Sequence, residues 1–295
     1  MELHVIIDNL PSGKMSQLHS EHGLSLQFSI GRQNFLVDSG ASGKALENMD
    51  MLHSNGTAGP QPEDIDAVFI SHGHNDHTGG LRKFIERNMA APIYLHNSIR
   101  DNYFFSCRPK NGIREARSIG MEQALFAEHE ERFMEIEGAT CITEKIALIP
   151  ITGSKGYLAP MGNEFLFKND LPDNFSHEVA ILVEHTPGEY TVISPCTHNG
   201  ILNVLECCRE HLDLSGRGEI KYFVGGLHYV DYLQGCGENK EAAQIIGTAH
   251  KLKELYPALK VFSGHCTCSA AGELMQSVLG ENYSTFCTGT TISCI

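Results

Sequence analysis

The segment 71-SHGHNDHTGG-80 places His72, His74 and His77 beside one acid, Asp76, and follows them at once with Gly79 and Gly80. The apolar run AVFI at 67–70 precedes it and the helical pattern LRKFIERNM at 81–89 follows. The cluster is therefore expected where a strand ends and a loop begins. A loop can turn all three imidazoles inward, whereas an ideal strand would send His77 to the opposite face. Neutral imidazole and carboxylate both suit zinc and similar metals, and close spacing lowers the entropic cost of assembling them. The paired glycines fit a turn in which backbone must approach backbone closely before a helix starts. The competing reading is a polar surface loop that is merely rich in histidine.

The same outline recurs along the chain. HVIIDNL, LSLQFSI and QNFLVDSG read as strands ahead of the cluster. EVAILVEH, YTVISPCTH, IKYFVGGLHY and LKVFSGHCT read as strands after it, with helices ILNVLECCREH, ENKEAAQIIGTAHKLKELY and AAGELMQSVLG interleaved. An apolar strand delivering a polar, histidine-bearing loop is the repeating unit. Two sheets covered by helices, with the functional loops at one edge, are the architecture this pattern predicts. Between about Asn97 and Lys145 the pattern lapses into charged sequence, including IREARSIGMEQALFAEHEERFMEIEGA, which reads as a largely helical excursion. No linker or low-complexity run forces a second domain, so residues 1–295 are expected to form one domain carrying that excursion.

Composition narrows the function classes. Apolar residues make up 41% of the chain, enough for a substantial core, and the net charge of −14 disfavours nucleic acid and anionic lipid as partners. An anionic small molecule would need local positive charge, which metal ions supply. MELHVIIDNL reads as a strand without signal-peptide features, and no apolar run approaches the roughly 18 residues of a membrane span. A cytoplasmic location is expected, and the ten cysteines are expected to be reduced. A GxSxG nucleophile elbow is absent, which removes the leading serine-hydrolase reading.

SHGHNDHTGG resembles the His-x-His-x-Asp-His signature of the metallo-β-lactamase superfamily. The resemblance implies an α/β fold, the four-layer αββα sandwich, and a dinuclear site holding two divalent ions, zinc first, with manganese or iron as alternatives. By position it implies His72 and His74 on one metal and Asp76 and His77 on the other. FLVDSG resembles the earlier Asp-x-Gly motif and implies that Asp38 orients ligands without binding metal. VISPCTHNGILN and FSGHCTCSA resemble segments of one branch and imply His198 and His265 as further ligands, against the plain alternative of core or surface histidines.

Two departures stand out. EHTPGEYT has Glu189 where many members carry a metal-binding histidine and reads as a hairpin turn, with His185 a turn residue. Cys196 occupies the place of the usual bridging aspartate, so it is a weaker candidate, a metal-binding thiolate or a buried structural thiol. VIIDN, SEHGLSLQF, CTHNGILN, VGGLHYVD and GHCTCSA, in that order, resemble the 7,8-dihydropterin-6-ylmethyl-4-(β-D-ribofuranosyl)aminobenzene 5'-phosphate synthase group, many of whose members are known only as metal-dependent hydrolases. Cys268 stands where that branch has glycine. His22 and His228 lie in motifs of the group as substrate-binding or ligand-supporting candidates.

The expected activity is hydrolysis of a small phosphate ester or lactone-like compound by a metal-bound hydroxide, with Asp76 handling the proton and His228 assisting. Alternatives are a C–N bond-forming synthase and a ligand-binding scaffold that has lost its metals. A diiron reductase ranks below these, because that class carries glutamate in place of His74 and a fused flavin domain. The sequence does not specify an oligomeric state.

Overall fold

The computed structural model describes residues 1–54, 56, 59–109, 113–216, 218–230 and 238–295. It divides into two compact units. The first comprises residues 1–138, 164–179 and 287–295, and the second residues 139–163 and 180–286.

In the first unit a seven-stranded sheet runs in the spatial order Thr291–Ser293, Glu2–Ile7, Ser25–Ile30, Gln33–Val37, Ala67–Phe69, Ile93–His96, Phe133–Ile136. Alternation decides its faces. Leu36 and Val68 join the core beneath helix Lys44–Ser54, whose Ala45, Leu46, Met49 and Leu52 recur at helical spacing. On the other face Phe28, Phe35 and Phe69 form a stacked ladder with centroids 5.3 and 5.5 Å apart, and all three are buried. The same helix presents one polar group inward. The Asn48 amide donates to the Ile6 and His19 carbonyls, both at 2.8 Å, and its oxygen accepts from the His19 amide at 2.8 Å. A buried amide satisfied this fully costs little and pins the loop that carries His22.

From Gln33–Val37 through Ala67–Phe69 to Ile93–His96 the strands are parallel. Parallel neighbours end at the same side of a sheet, so Asp38 and Ser71, each just beyond its strand, come out together.

The second unit repeats this logic. Its sheet runs Tyr283–Thr285, Lys260–Ser263, Glu219–Val224, Glu189–Ile193, Val179–Thr186, Ile146–Pro150, Thr140–Thr143. The strands Glu189–Ile193, Glu219–Val224, Lys260–Ser263 and Tyr283–Thr285 are parallel. Helices Ile201–Ser215, Glu238–Leu255 and Ser269–Leu279 make the crossovers that parallel pairing requires. Three adjacent carboxyl ends thus release the loops bearing Cys196 and His198, His228, and His265. Antiparallel strands Val179–Thr186 and Glu189–Ile193 close through Pro187 and Gly188, which makes EHTPGEYT a hairpin. His185 is the correction within it. It belongs to the strand, with a buried ring and its Nδ1 3.0 Å from Thr191 Oγ1.

Helix Ile201–Ser215 ends on Gly216, which adopts φ +65° and donates its N–H to the Leu212 and Asp213 carbonyls. Only glycine takes that left-handed cap without cost. Gly216→Ala is expected to lower stability by about 1 kcal/mol, read as a shift in urea midpoint at unchanged slope.

The excursion at 97–145 corrects the sequence reading. Among the described residues its helices are Asn97–Ile99, Ala124–Glu128 and Glu130–Arg132, whereas Phe104–Ser106, Arg117–Ser118, Phe133–Ile136 and Thr140–Thr143 are strands. Residues 110–112 of it lie outside the described residues. Runs this short cannot sustain helix on propensity alone, and strand partners captured them. Phe104–Ser106 and Arg117–Ser118 join Leu166–Lys168 and Leu171–Pro172 in a small four-stranded antiparallel sheet. Among the described residues no helix is long and apolar enough to cross a membrane.

Candidate metal centre

Beyond strand Ala67–Phe69 the chain bends at His72 and Gly73, is extended at His74, and then makes one helical turn, Asn75–Thr78. That change of backbone brings three imidazoles together. The His72 and His74 rings lie 4.6 Å apart and the His72 and His77 rings 4.3 Å, all buried. Asp76 Oδ2 stands 3.5 Å from His77 Nε2 and 3.6 Å from Nε2 of His22, whose side chain is largely exposed. Gly79 and Gly80 have ordinary helical φ, so they are not there for backbone freedom. Contact explains them. A Cβ on Gly79 would sit 2.2 Å from the Ala41 carbonyl oxygen, and one on Gly80 2.2 Å from that of Ser39.

Asp38 organises this cluster. The Ser71 amide donates to its Oδ1 at 2.8 Å, and the Ser71 hydroxyl donates to Oδ2 at 2.7 Å. His77 Nδ1 lies 2.7 Å from the same Oδ2, and an anionic carboxylate can only accept there, so Nδ1 carries the proton. Ser71 Oγ, having given its hydrogen to Asp38, accepts from His72 Nδ1 at 2.9 Å. One carboxylate thereby fixes both tautomers, His77 directly and His72 through Ser71, and both rings turn their Nε2 lone pairs outward. Burial holds His72 well below the usual imidazole range, with the neighbouring His77 and His74 adding to the effect, and pushes His74 down to about 3. Both are neutral at pH 7, the form that binds metal.

His177 and Asp173 form a supporting pair that the sequence reading missed. His177 is fully buried; its Nδ1 accepts from the Gly73 amide at 3.1 Å and its Nε2 lies 3.0 Å from Asp173 Oδ2. Its ring stands 6.1 Å from that of His72 and 5.9 Å from that of His74. LPDNFSHEVA carries no motif signal, because what defines this histidine is a bond to a backbone 104 residues away. The excursion is also stitched to the loop that carries His72, His74 and His77. Asn75 N donates to Ile119 O at 2.6 Å, Met121 N donates to Gly73 O at 2.9 Å, and Phe104 packs edge-on against His74. His177→Ala is expected to weaken metal affinity by about tenfold or more, measured by competition with a chelator of known affinity.

In the second unit, the nearest ring nitrogens of His198 and His228 and the Cys196 sulfur lie within 4.8 Å of one another; Cys196, His265 and Cys266 form a second such group. All five are buried. The His198 and His228 rings are 4.1 Å apart. Asn163 clamps His198, donating to its carbonyl at 2.7 Å and meeting its Nδ1 at 3.1 Å. His228 and His265 both adopt positive φ, +53° and +51°, which swings each side chain sharply off its strand. The His228 amide donates to Cys266 Sγ at 3.3 Å, and among the described residues neither ring nitrogen of His228 has a hydrogen-bond partner. Buried imidazole with both nitrogens unsatisfied is costly and suits a ligand or ion. Cys266 belongs to GHCTCSA, which with SPCTH is one of the two cysteine-bearing segments beside histidines that the sequence offers as metal candidates. The described cysteines are all free thiols.

Parallel strands that end in histidine loops, built around His-x-His-x-Asp-His, define the metallo-β-lactamase fold. Residues 27–101, which contain the first cluster, match the family model of the metallo-beta-lactamase superfamily. A metal-dependent hydrolase of the beta-lactamase superfamily, Tm1679, shares the fold at a TM-score of 0.73 with 23% identity, covering 100% of this chain and 99% of its own. Zn(2+)-bound PqqB from Methylobacterium extorquens superposes with a TM-score of 0.55 at 12% identity, over 100% of both chains. By sequence, the chain is 24% identical over 291 residues to the 7,8-dihydropterin-6-methyl-4-(beta-D-ribofuranosyl)-aminobenzene-5'-phosphate synthase of Methanocaldococcus jannaschii, covering 92% of this chain and 90% of the relative.

Proposed function

We propose that this protein is a metal-dependent hydrolase of a small anionic compound, a phosphate ester or a lactone-like substrate, working with two divalent ions, zinc first. His72, His74, Asp76 and His77 on the first unit are the proposed ligands, with His198 and His265 on the second. The observation that carries the reading is the Asp38 relay. A buried carboxylate that sets the tautomers of His77 and, through Ser71, of His72 has little purpose in a core, and a clear one when both Nε2 atoms must face a cation. Divalent metals bound there would acidify water and polarise the bond to be broken. Within the chain's own residues, Asp76 Oδ2 accepts the proton that leaves the nucleophile, and His22 Nε2, at 3.6 Å, is placed to relay it to solvent. His228 is proposed to contact the substrate or its leaving group.

A second reading, a C–N bond-forming synthase, is favoured by the Methanocaldococcus jannaschii relative, whose similarity extends over 92% of this chain. In that reaction the same residues would assist departure of a phosphate-bearing leaving group.

Metal analysis of the purified protein is expected to give at least one zinc, manganese or iron per chain, with turnover lost on chelation and restored on reloading. Fewer than one ion per chain after metal supply sinks the proposal. Phosphodiesters, lactones and the pterin condensation assayed side by side separate the two readings, and the turnover that His77→Ala abolishes is the true one.

A further inference from the structure

Several arginines of this acidic chain are paired with carboxylates. Arg82 bonds Glu122 and Glu128, Arg87 bonds Asp50 and Glu63, and Arg209 bonds Glu206 and Asp213. The small antiparallel sheet of the first unit differs. The guanidinium carbons of Arg108 and Arg114 lie over one ring, that of Phe165, at 5.4 and 5.2 Å. Arg117 Nη2 donates to the Arg108 carbonyl at 2.7 Å, which adds a third guanidinium to the group. Glu115 and Glu164 are sequence neighbours of Arg114 and Phe165, yet among the described residues neither Arg114 nor Arg117 has a carboxylate partner. Stacking on one ring attracts each cation only weakly at an exposed site. Gathering like charges works against that, and a bound anion relieves it.

The position of the group relates it to the metal loop. Arg117 is in register with Ser106, and Ile119, two residues further, donates to Phe104 O at 2.9 Å and accepts from Asn75 N at 2.6 Å. Two strand residues span about 7 Å. Phe104 itself touches His74. The backbone that carries Arg117 is thus joined, two residues on, to the loop that carries the histidines.

We infer that Arg114 and Arg117, with Arg108 beside them, form a receptor for a phosphate monoester dianion that anchors the substrate away from the bond that reacts. Planar guanidinium forks match the oxygens of a tetrahedral phosphate, and several forks can share one phosphate where a carboxylate fills with one. The substrate-anchoring role rests on the hydrolase or synthase reading above, whereas the binding itself does not.

Calorimetric titration with inorganic phosphate and with glycerol 3-phosphate, at low salt, tests this on the protein as purified and after chelator stripping. The stripped wild type is expected to retain binding of both, and Arg114→Gln/Arg117→Gln is expected to weaken it at least tenfold. Arg114→Lys/Arg117→Lys, which keeps the charge and loses the forks, is expected to fall between, and it carries the test if the glutamine pair does not fold. Unchanged phosphate affinity in the folded variants overturns the receptor. Binding that vanishes on stripping alone also overturns it, by assigning the anion to the metals. Binding of inorganic phosphate without glycerol 3-phosphate overturns the anchoring role. A protein that takes up no metal yet binds both anions through Arg114 and Arg117 upholds the receptor and sinks only the metal proposal.

Discussion

Asp38→Ala is expected to lower the stability of the protein by about 4–10 kcal/mol and to abolish tight metal binding. The carboxylate accepts from the Ser71 amide, the Ser71 hydroxyl and His77 Nδ1, and all of these groups are buried. Alanine leaves three donors without an acceptor, and each orphaned buried donor costs about 1–3 kcal/mol. Asp38 also sits at φ +57°, where alanine adds about 1 kcal/mol. Since whole domains are stable by only about 5–15 kcal/mol, the variant is expected to sit near the edge of folding at 37 °C.

Asp38→Asn separates the structural cost from the chemical one. Asparagine tolerates the positive φ and keeps one oxygen to accept from Ser71. Its amide, however, donates where a carboxylate oxygen accepted. His77 can then satisfy it only by accepting at Nδ1, which moves the imidazole proton to Nε2 and removes the lone pair a metal needs. Near-native denaturation midpoints with a 10–100-fold loss of metal affinity are therefore expected for Asp38→Asn. Equal metal affinity in Asp38→Asn and wild type would overturn the tautomer relay. Denaturation in urea and chelator competition read the two effects independently.

The clusters differ in how far the sequence revealed them. His72, His74, Asp76 and His77 are legible because they are local, and a six-residue segment declares both its ligand types and its place after a strand. Asp38 was accessible as a motif, but its hydrogen bonds were not, because they depend on two parallel strands ending side by side. His177 and Asp173 gave no signal at all. Their role lies in a bond to Gly73 that only the folded chain brings about. The excursion misled for the opposite reason. Glu, Ala and Met favour helix as isolated residues, while the pairing of Arg117–Ser118 with Phe104–Ser106 was decided by partners remote in sequence. His228 shows the same limit. Its apolar strand was plain, but the positive φ that turns its ring beside His198 is a backbone property that GGLHY does not announce.

Asp76→Ala is expected to reduce kcat by about 10²–10⁴-fold with the fold retained, a larger loss than His228→Ala produces. Structure accounts for the tolerance. The Asp76 side chain is 15% exposed, and two imidazole nitrogens stand near its Oδ2, at 3.5 and 3.6 Å. Its carbonyl, which accepts from Leu24 N at 3.2 Å, survives the substitution. On the proposed mechanism alanine removes a metal ligand and the proton acceptor in one step, and the two losses fall on the same transition state. A thousandfold drop corresponds to about 4 kcal/mol of barrier. His228→Ala, by contrast, removes an imidazole whose ring nitrogens have no protein hydrogen bonds to break among the described residues. It is expected to cost about tenfold in kcat/KM through weaker substrate or metal contact. Rates measured under saturating metal, with stoichiometry determined on each variant, decide the order. Equal activity in the two variants would remove Asp76 from proton handling and leave it a ligand only.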